Sequence, residues 1–285
     1  MQKLTEKNIT ETVLNRLCEN GSPRLKEVVA SLVRHAHECA REVSLTPEEW
    51  LAGIKFLTAI GRICDDKRQE FILLSDTLGV SALVDLIDNR AAPTKATESS
   101  LLGPFFREGA PELPNGADIS NGTAGERIFV HGRVTSIDAR PIPGARLDVW
   151  QAAPNGKYDL QDEHQPEMNL RGRFRTDAEG RFKFRSIKPA SYPVPTDGPV
   201  GTMLQALGSH PYRPAHVHFM ISAPRYRTLT TALYMNGDKY LDSDAVFGSR
   251  ESLAVDYRPY DGSGAEEIRK MDSVEFNFVL NPQVP

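Results

Sequence analysis

The period of the apolar residues changes once along this chain, close to residue 127, and that change limits the folds open to it. Up to about residue 90 the spacing is helical: Leu25, Val28, Val29, Leu32 and Val33 mark one stripe of an amphipathic helix. The run TPEE at 46–49 starts another helix, with Thr46 as cap, Pro47 in the first turn and Glu49 closing a capping box. A further helix runs from Glu70 to Leu78, bends or restarts at Gly79 and continues to about Asn89. Residues 91–126, rich in Pro, Gly, Asn and Ser, read as a long ordered loop. From Arg127 onward, short apolar runs at 128–135, 145–150, 172–176 and 180–185 are separated by turn signals such as Pro143-Gly144 and Asn155-Gly156. More strand candidates follow at 215–223, 228–235, 252–259 and 275–281. Strands so short and closely spaced predict a mainly β chain, an antiparallel β-sandwich preceded by an α-helical layer. The expected division is 1–90 helical, 91–126 connecting loop and 127–285 sandwich.

At 285 residues the chain can bury a sizeable core. A net charge of −4 supplies no basic footprint for nucleic acid. No apolar run approaches the length of a membrane span, and residues 1–8, MQKLTEKN, hold no apolar signal region. Three cysteines, Cys18, Cys39 and Cys64, are an odd number without CxxC spacing, which argues against a disulfide framework and a zinc knuckle and for a reducing, cytoplasmic setting.

The chemistry lies in the second half. His216 and His218 occupy RPAHVHFMIS at 213–222, whose β-branched run after the proline reads as a strand. Residues two apart on a strand share a face, so both imidazoles can reach one ion. His35 and His37 have the same spacing but fall in the helical region, where such neighbours diverge; they read as structural. Tyr158 and Tyr192 come earlier in the chain. A phenolate oxygen is a hard donor that suits a trivalent cation, whereas zinc prefers thiolate or imidazole and calcium prefers carboxylates and carbonyls. The metal expected from this donor set is Fe(III). Asp242 and Asp244 read as solvated loop residues rather than a second metal site.

Tyr158, YPVPTDGP at 192–199 and RPAHVH at 213–218, together with LGPFF at 102–106 and DVWQA at 148–152, occur in the order of the intradiol ring-cleaving dioxygenases, which the chain resembles over almost its whole length. The resemblance implies one non-haem Fe(III) per subunit, held by Tyr158, Tyr192, His216 and His218, with Tyr192 and His218 axial. It implies insertion of O2 into a catecholic diol that displaces Tyr192, whose phenolate then accepts a substrate proton. It also implies that Arg213 faces the substrate and stabilises developing negative charge. On strand alternation alone Arg213 would point away from His216 unless Pro214 bends the chain. From the same resemblance the helices form a homodimer interface, with a phospholipid at that interface.

Three segments, LLGPFF at 101–106, TDGPVGTM at 196–203 and YLDSDAVFG at 240–248, look most similar to the hydroxyquinol 1,2-dioxygenase branch. Positions matching its pocket are Leu73, Asp76, Leu102, Gly103, Pro104, Phe105, Val194, Pro195, Arg213 and Val246. Most are apolar, as a flat ring requires. Asp76 is the exception and would suit a third ring hydroxyl, so the expected reaction takes benzene-1,2,4-triol to 3-hydroxy-cis,cis-muconate, the enol of maleylacetate. Catechol or chlorocatechol cleavage is the alternative within the family. A metal-free transthyretin-like module, suggested by PGARLDV at 143–149, is the rival of another class, but it would have no use for two tyrosines and two histidines converging on one point. Ala232 stands where related enzymes often carry a polar side chain after the paired threonines Thr230 and Thr231.

Overall fold

Thr46 and Glu49 make the reciprocal bonds of a capping box, Glu49 accepting the Thr46 N–H at 2.9 Å and Thr46 Oγ1 the Glu49 N–H at 3.3 Å. The computed structural model describes every residue except 1–2, 18–20, 67, 91, 94, 263–265 and 284–285, so Cys18 lies outside the described residues. The chain divides into two compact units, residues 1–59 and 60–285. The first holds α1 (Ile9–Leu17), α2 (Pro23–Glu42) and most of α3 (Pro47–Ile63). Ser22 caps α2 and Pro23 sits in its first turn. On α2, Leu25, Val28 and Leu32 are exposed, and on α3 so are Trp50, Leu51, Ile54 and Leu57. His35 is exposed beside Glu38, and His37 bonds Thr10 at 3.0 Å, which agrees with their structural reading. Cys39 and Cys64 are free thiols. Among the described residues no helix is long and apolar enough to cross a membrane.

The second unit opens with α4 (Glu70–Thr77) and α5 (Val80–Asn89), which break at Gly79, where φ is +71°. Its strands are β1 (Arg127–Ser136), β2 (Arg146–Trp150), β3 (Arg171–Arg175), β4 (Arg181–Ile187), β5 (Tyr192–Pro193), β6 (Tyr212–Arg213), β7 (His216–Ser222), β8 (Leu229–Met235), β9 (Ala254–Val255), β10 (Arg258–Pro259), β11 (Asp272–Glu275) and β12 (Phe278–Leu280). They form two five-stranded sheets, one ordered β3-β2-β7-β8-β9 and one ordered β10-β11-β1-β12 with β4 also on β1; β5 and β6 pair separately. The long ladders are antiparallel, as expected of the sandwich. Three short pairings, β1 with β11, β1 with β12 and β8 with β9, are parallel.

Alternation on β7 divides its side chains between two environments. Val217, Phe219 and Ile221 enter the sandwich core with Leu147 and Val149 of β2, Phe182 and Phe184 of β4, and Phe278 of β12. His216 and His218 take the other face, where Trp150, Tyr158 and Tyr192 form a second buried cluster. The hydrophobic core therefore holds the strand from behind while its outer face carries the polar chemistry. A helix absent from the sequence reading, α6 (Pro199–Ala206), follows β5; α7 (Glu266–Arg269) is a single turn near the end.

Candidate metal centre and substrate pocket

Three separate segments deliver the four predicted ligands to one place. Tyr158 precedes a one-turn 3-10 helix, Asp159–Gln161, and its N–H is accepted by Gln161 at 3.0 Å. Asp159 anchors that turn: it accepts Arg171 Nη2 at 2.6 Å, Arg107 Nη1 at 2.7 Å and the Met168 N–H at 3.1 Å. Gly156 lets the preceding turn approach Tyr192, since a Cβ there would lie 2.8 Å from Tyr192 Cβ. Tyr192 lies directly opposite Arg213 in the β5–β6 pair. On β7, His218 is opposite Trp150 of β2 and Ala232 of β8, while His216 is opposite Tyr234.

The donor atoms converge. Tyr158 and Tyr192 hydroxyls are 3.2 Å apart, Tyr192 Oη is 3.5 Å from His216 Nε2, and His216 Nε2 is 3.0 Å from His218 Nε2. The His216 Nδ1–H donates to the Pro214 carbonyl at 2.7 Å, which turns the Nε2 lone pair into the site. All four side chains are buried, none more than 3% exposed. Burial, reinforced by Arg213, holds His216 neutral, its pKa lowered to about 3; burial and then His216 itself push His218 down well below the ordinary range. Burial likewise raises both tyrosines, Tyr158 strongly. Two neutral imidazoles and two phenols crowded so closely fit a common cation: both Nε2 atoms can offer lone pairs, and a trivalent ion would offset the cost of ionising the phenols. Among the described residues no group of three or more His, Cys, Asp or Glu side chains is placed to hold a metal. A cation bound to His216 and His218 would find its further protein donors in the phenol oxygens of Tyr158 and Tyr192.

Aromatic packing fixes the rings of His218 and Tyr158. Trp150 lies flat against His218, centroids 4.8 Å apart and planes within 4°, and Phe105 stacks on Tyr158 at 4.5 Å. His218 Nδ1 is buried with no hydrogen-bond partner among the described residues, and its cross-strand neighbour Ala232 has no polar group to give it. The departure noted at Ala232 thus falls beside His218.

Arg213 turns into the site. β6 ends at Arg213 and β7 begins at His216, so the chain breaks at Pro214 and Nη1 comes to 3.3 Å from His216 Nε2. Asp244, read from sequence as loop solvation, is instead 5% exposed and bonded to Arg213, whereas Asp242 is exposed. Burial opposes the charge of each partner, and each restores the other: Arg213 titrates well above its ordinary range and Asp244 below. Tyr234 completes the surroundings, its hydroxyl 3.4 Å from Arg213 Nη2. Asp244, Tyr234, Asp159 and Arg171 had no signal in the sequence beyond their types.

The predicted pocket residues, Arg213 among them, are distributed over five segments. Leu73 and Asp76 are buried on α4, 5% exposed each, and three positions apart on one helix face. Burial raises the Asp76 carboxyl, and Ser81 and Arg213 only partly reverse it. Gly103, at φ +70°, places its backbone beside His218, whose Cε1 a Cβ would meet at 3.8 Å. Pro104, Phe105 and Pro195 are half-buried, Val194 and Val246 are buried, and Leu102 is the outermost at 40% exposed. Val246 joins Arg213 through Asp244, which accepts its N–H at 3.3 Å.

The chain is similar to known proteins over nearly its whole length. The family profile described as "Dioxygenase" matches residues 101–282, and "Catechol dioxygenase N terminus" matches residues 22–96. The chain is 50% identical over 285 residues to 6-chlorohydroxyquinol 1,2-dioxygenase of Cupriavidus pinatubonensis, covering 99% of each chain. It is 48% identical to hydroxyquinol 1,2-dioxygenase of a Rhizobium species, over 96% of this chain and 95% of that one. A solved structure of hydroxyquinol 1,2-dioxygenase from Pseudomonas putida superposes with a TM-score of 0.91 at 48% identity, over 98% of this chain and 99% of the other.

Proposed function

The chain belongs to the intradiol ring-cleaving dioxygenases, and from that premise we propose that it inserts both atoms of O2 into benzene-1,2,4-triol, giving 3-hydroxy-cis,cis-muconate, the enol of maleylacetate. The observation that carries this reading is the convergence of two phenol oxygens and two imidazole nitrogens at 3.0–3.5 Å on the outer face of β7. Tyr158, Tyr192, His216 and His218 would hold one non-haem ferric ion per subunit. When bound, that ion supplies the Lewis acidity that chelates the ring diol and activates it toward dioxygen.

The protein's own groups do the rest. Tyr192, as phenolate, would accept a hydroxyl proton of the incoming diol and so serve as base as well as metal ligand. Arg213, kept charged by Asp244, faces the negative charge that develops on the opened ring. Buried Leu73, Val194 and Val246, half-buried Gly103, Pro104, Phe105 and Pro195, and Leu102 at the rim supply the apolar walls a ring requires. Asp76 is the group for the third hydroxyl: a buried carboxyl bonded to Ser81, with an acceptor position that catechol would leave unused.

We assign residues 1–90 to dimerisation, 91–126 to the connection that brings Leu102–Phe105 to the pocket, and 127–285 to catalysis. Leu25, Val28 and Leu32 of α2 and Trp50, Leu51, Ile54 and Leu57 of α3 are the exposed apolar side chains that a second copy would cover, with a phospholipid seated at that interface. The free thiols of Cys39 and Cys64 suit a cytoplasmic setting. A substrate panel tests the function: oxygen uptake with product identification should give highest kcat/KM for hydroxyquinol or 6-chlorohydroxyquinol. Equal or higher efficiency with catechol would return the chain to the catechol-cleaving branch.

A further inference from the structure

The guanidinium of Arg213 is gripped by the loop that supplies Val246 to the pocket. Its Nε donates to Asp244 Oδ1 at 3.1 Å and its Nη2 to Oδ2 at 3.2 Å, a two-point fork. The same carboxylate accepts the backbone N–H groups of Val246 at 3.3 Å, Gly248 at 3.0 Å and Ser249 at 3.2 Å. Gly248 lies so close that a Cβ on it would stand 2.8 Å from Arg213 Nη2 and 3.0 Å from Tyr234 Oη. Ser100 closes the ring of contacts: its hydroxyl donates to the Gly248 carbonyl at 2.7 Å and lies 2.8 Å from Tyr234 Oη, just ahead of the loop carrying Leu102 to Phe105.

We infer that Asp244 is a positioning residue that binds Arg213 and the pocket wall around Val246 into one unit, so that the arginine's aim at the bound ring and the width of the pocket are set together. The inference rests on the reading of Arg213 as a substrate-facing group. Two features separate this from a merely local turn. A loop carboxylate capping its own backbone would need only the three N–H groups, yet both of its oxygens also engage the arginine. Both partners are buried, with side chains 5% and 0% exposed, so neither charge is tolerable alone. An asparagine could still accept from Arg213 Nε and Val246 N through Oδ1. Its amide N–H2 would then confront Arg213 Nη2, Gly248 N and Ser249 N, donor against donors, and the loop would part from the arginine.

The test is a double-mutant cycle of Asp244→Asn and Arg213→Met in the iron-loaded enzyme. It reads kcat and KM for hydroxyquinol, the anaerobic binding constant for the same substrate, iron content and the thermal midpoint. A slipped catalytic group costs about 100-fold in rate. Asp244→Asn should therefore lose about 100-fold in kcat with iron content unchanged, but less than about threefold further in the Arg213→Met background, because groups acting as one are non-additive. The double variant should also regain part of the thermal midpoint lost by Asp244→Asn, since removing both charges leaves no unpaired one. Equal losses in the two backgrounds, or an Asp244→Asn enzyme within threefold of wild-type kcat, would overturn the proposal alone. Wild-type turnover in Arg213→Met would instead overturn the role given to Arg213, and the proposal with it. If Asp244→Asn does not fold, the double variant decides: a folded double supports the coupling, and an unfolded one refutes it.

Discussion

Replacing Asp76 by leucine should reduce function and raise stability at once. The carboxyl is 5% exposed on α4, and burial raises its pKa, with only Ser81 and Arg213 pulling it back. Arg213 already spends its fork on Asp244. In the proposed pocket Asp76 is therefore a buried carboxyl, bonded to Ser81, whose remaining acceptor capacity the third hydroxyl of hydroxyquinol would fill. Leaving that capacity unfilled costs about 1–3 kcal/mol, or roughly fivefold to 150-fold at about 1.4 kcal/mol per decade. Wild-type kcat/KM should favour hydroxyquinol over catechol by a factor in that range. Asp76→Leu should shrink the ratio by the same factor, mostly by weakening hydroxyquinol. The stability sign is opposite. A raised folded pKa means that the folded state binds more protons than the unfolded one, so Asp76 costs stability above its folded pKa and the cost vanishes below the unfolded value. Urea unfolding at pH 7 should show Asp76→Leu at least as stable as wild type. Initial rates of oxygen uptake at several concentrations of each substrate give the ratio. An unchanged ratio, or equal loss on both substrates, would refute the reasoning.

Tyr192→Phe and Tyr158→Phe should both lose activity, but anaerobic titration should show Tyr192→Phe failing to take up the diol, because the departing phenolate is also the base; wild-type turnover in Tyr192→Phe would contradict its role. Asp159→Asn should destabilise the protein by about 3–5 kcal/mol, since Arg171 and Asp159 side chains are each 1% exposed and the arginine would lose its countercharge; an unfolding midpoint equal to wild type would show the cluster to be dispensable. His131, packed against Phe129 and Tyr260, has its pKa lowered by burial although Glu275 and Asp261 oppose that shift. The unfolded chain thus binds the proton first, and stability falls as pH drops from about 7.5 through 6.5. His131→Leu should flatten that slope by up to about 1.4 kcal/mol per pH unit, and a slope identical to wild type would disprove it.

Local signals read well where one residue type has one physical use. Thr46 and Glu49 formed their capping box, Gly79 divided α4 from α5, and the β7 alternation put His216 and His218 on one face. Proline at 214 bent the chain as its missing N–H and fixed φ suggest. What stayed hidden depends on partners distant in sequence. Asp244 looks like a loop acid until Arg213, 31 residues away, is seen against it. The anchoring of Tyr158 by Asp159, Arg171 and Arg107 is of the same kind. The parallel pairing of β11 and β12 with β1 follows from chain crossings that alternation cannot encode. Helix α6 was masked by the proline-rich run before it, although Pro199 at its first turn and Val200 with Leu204 on one face were available signals.

The central claim is that Tyr158, Tyr192, His216 and His218 form one ferric site, and the visible spectrum with iron content tests it most directly. Phenolate-to-Fe(III) charge transfer should make the purified or iron-loaded protein reddish, with about one iron per chain and a broad band that bleaches on reduction or chelation. Tyr158→Phe and Tyr192→Phe should each weaken or shift that band. A protein that stays colourless and iron-free after loading, with all four side chains intact, would contradict the account.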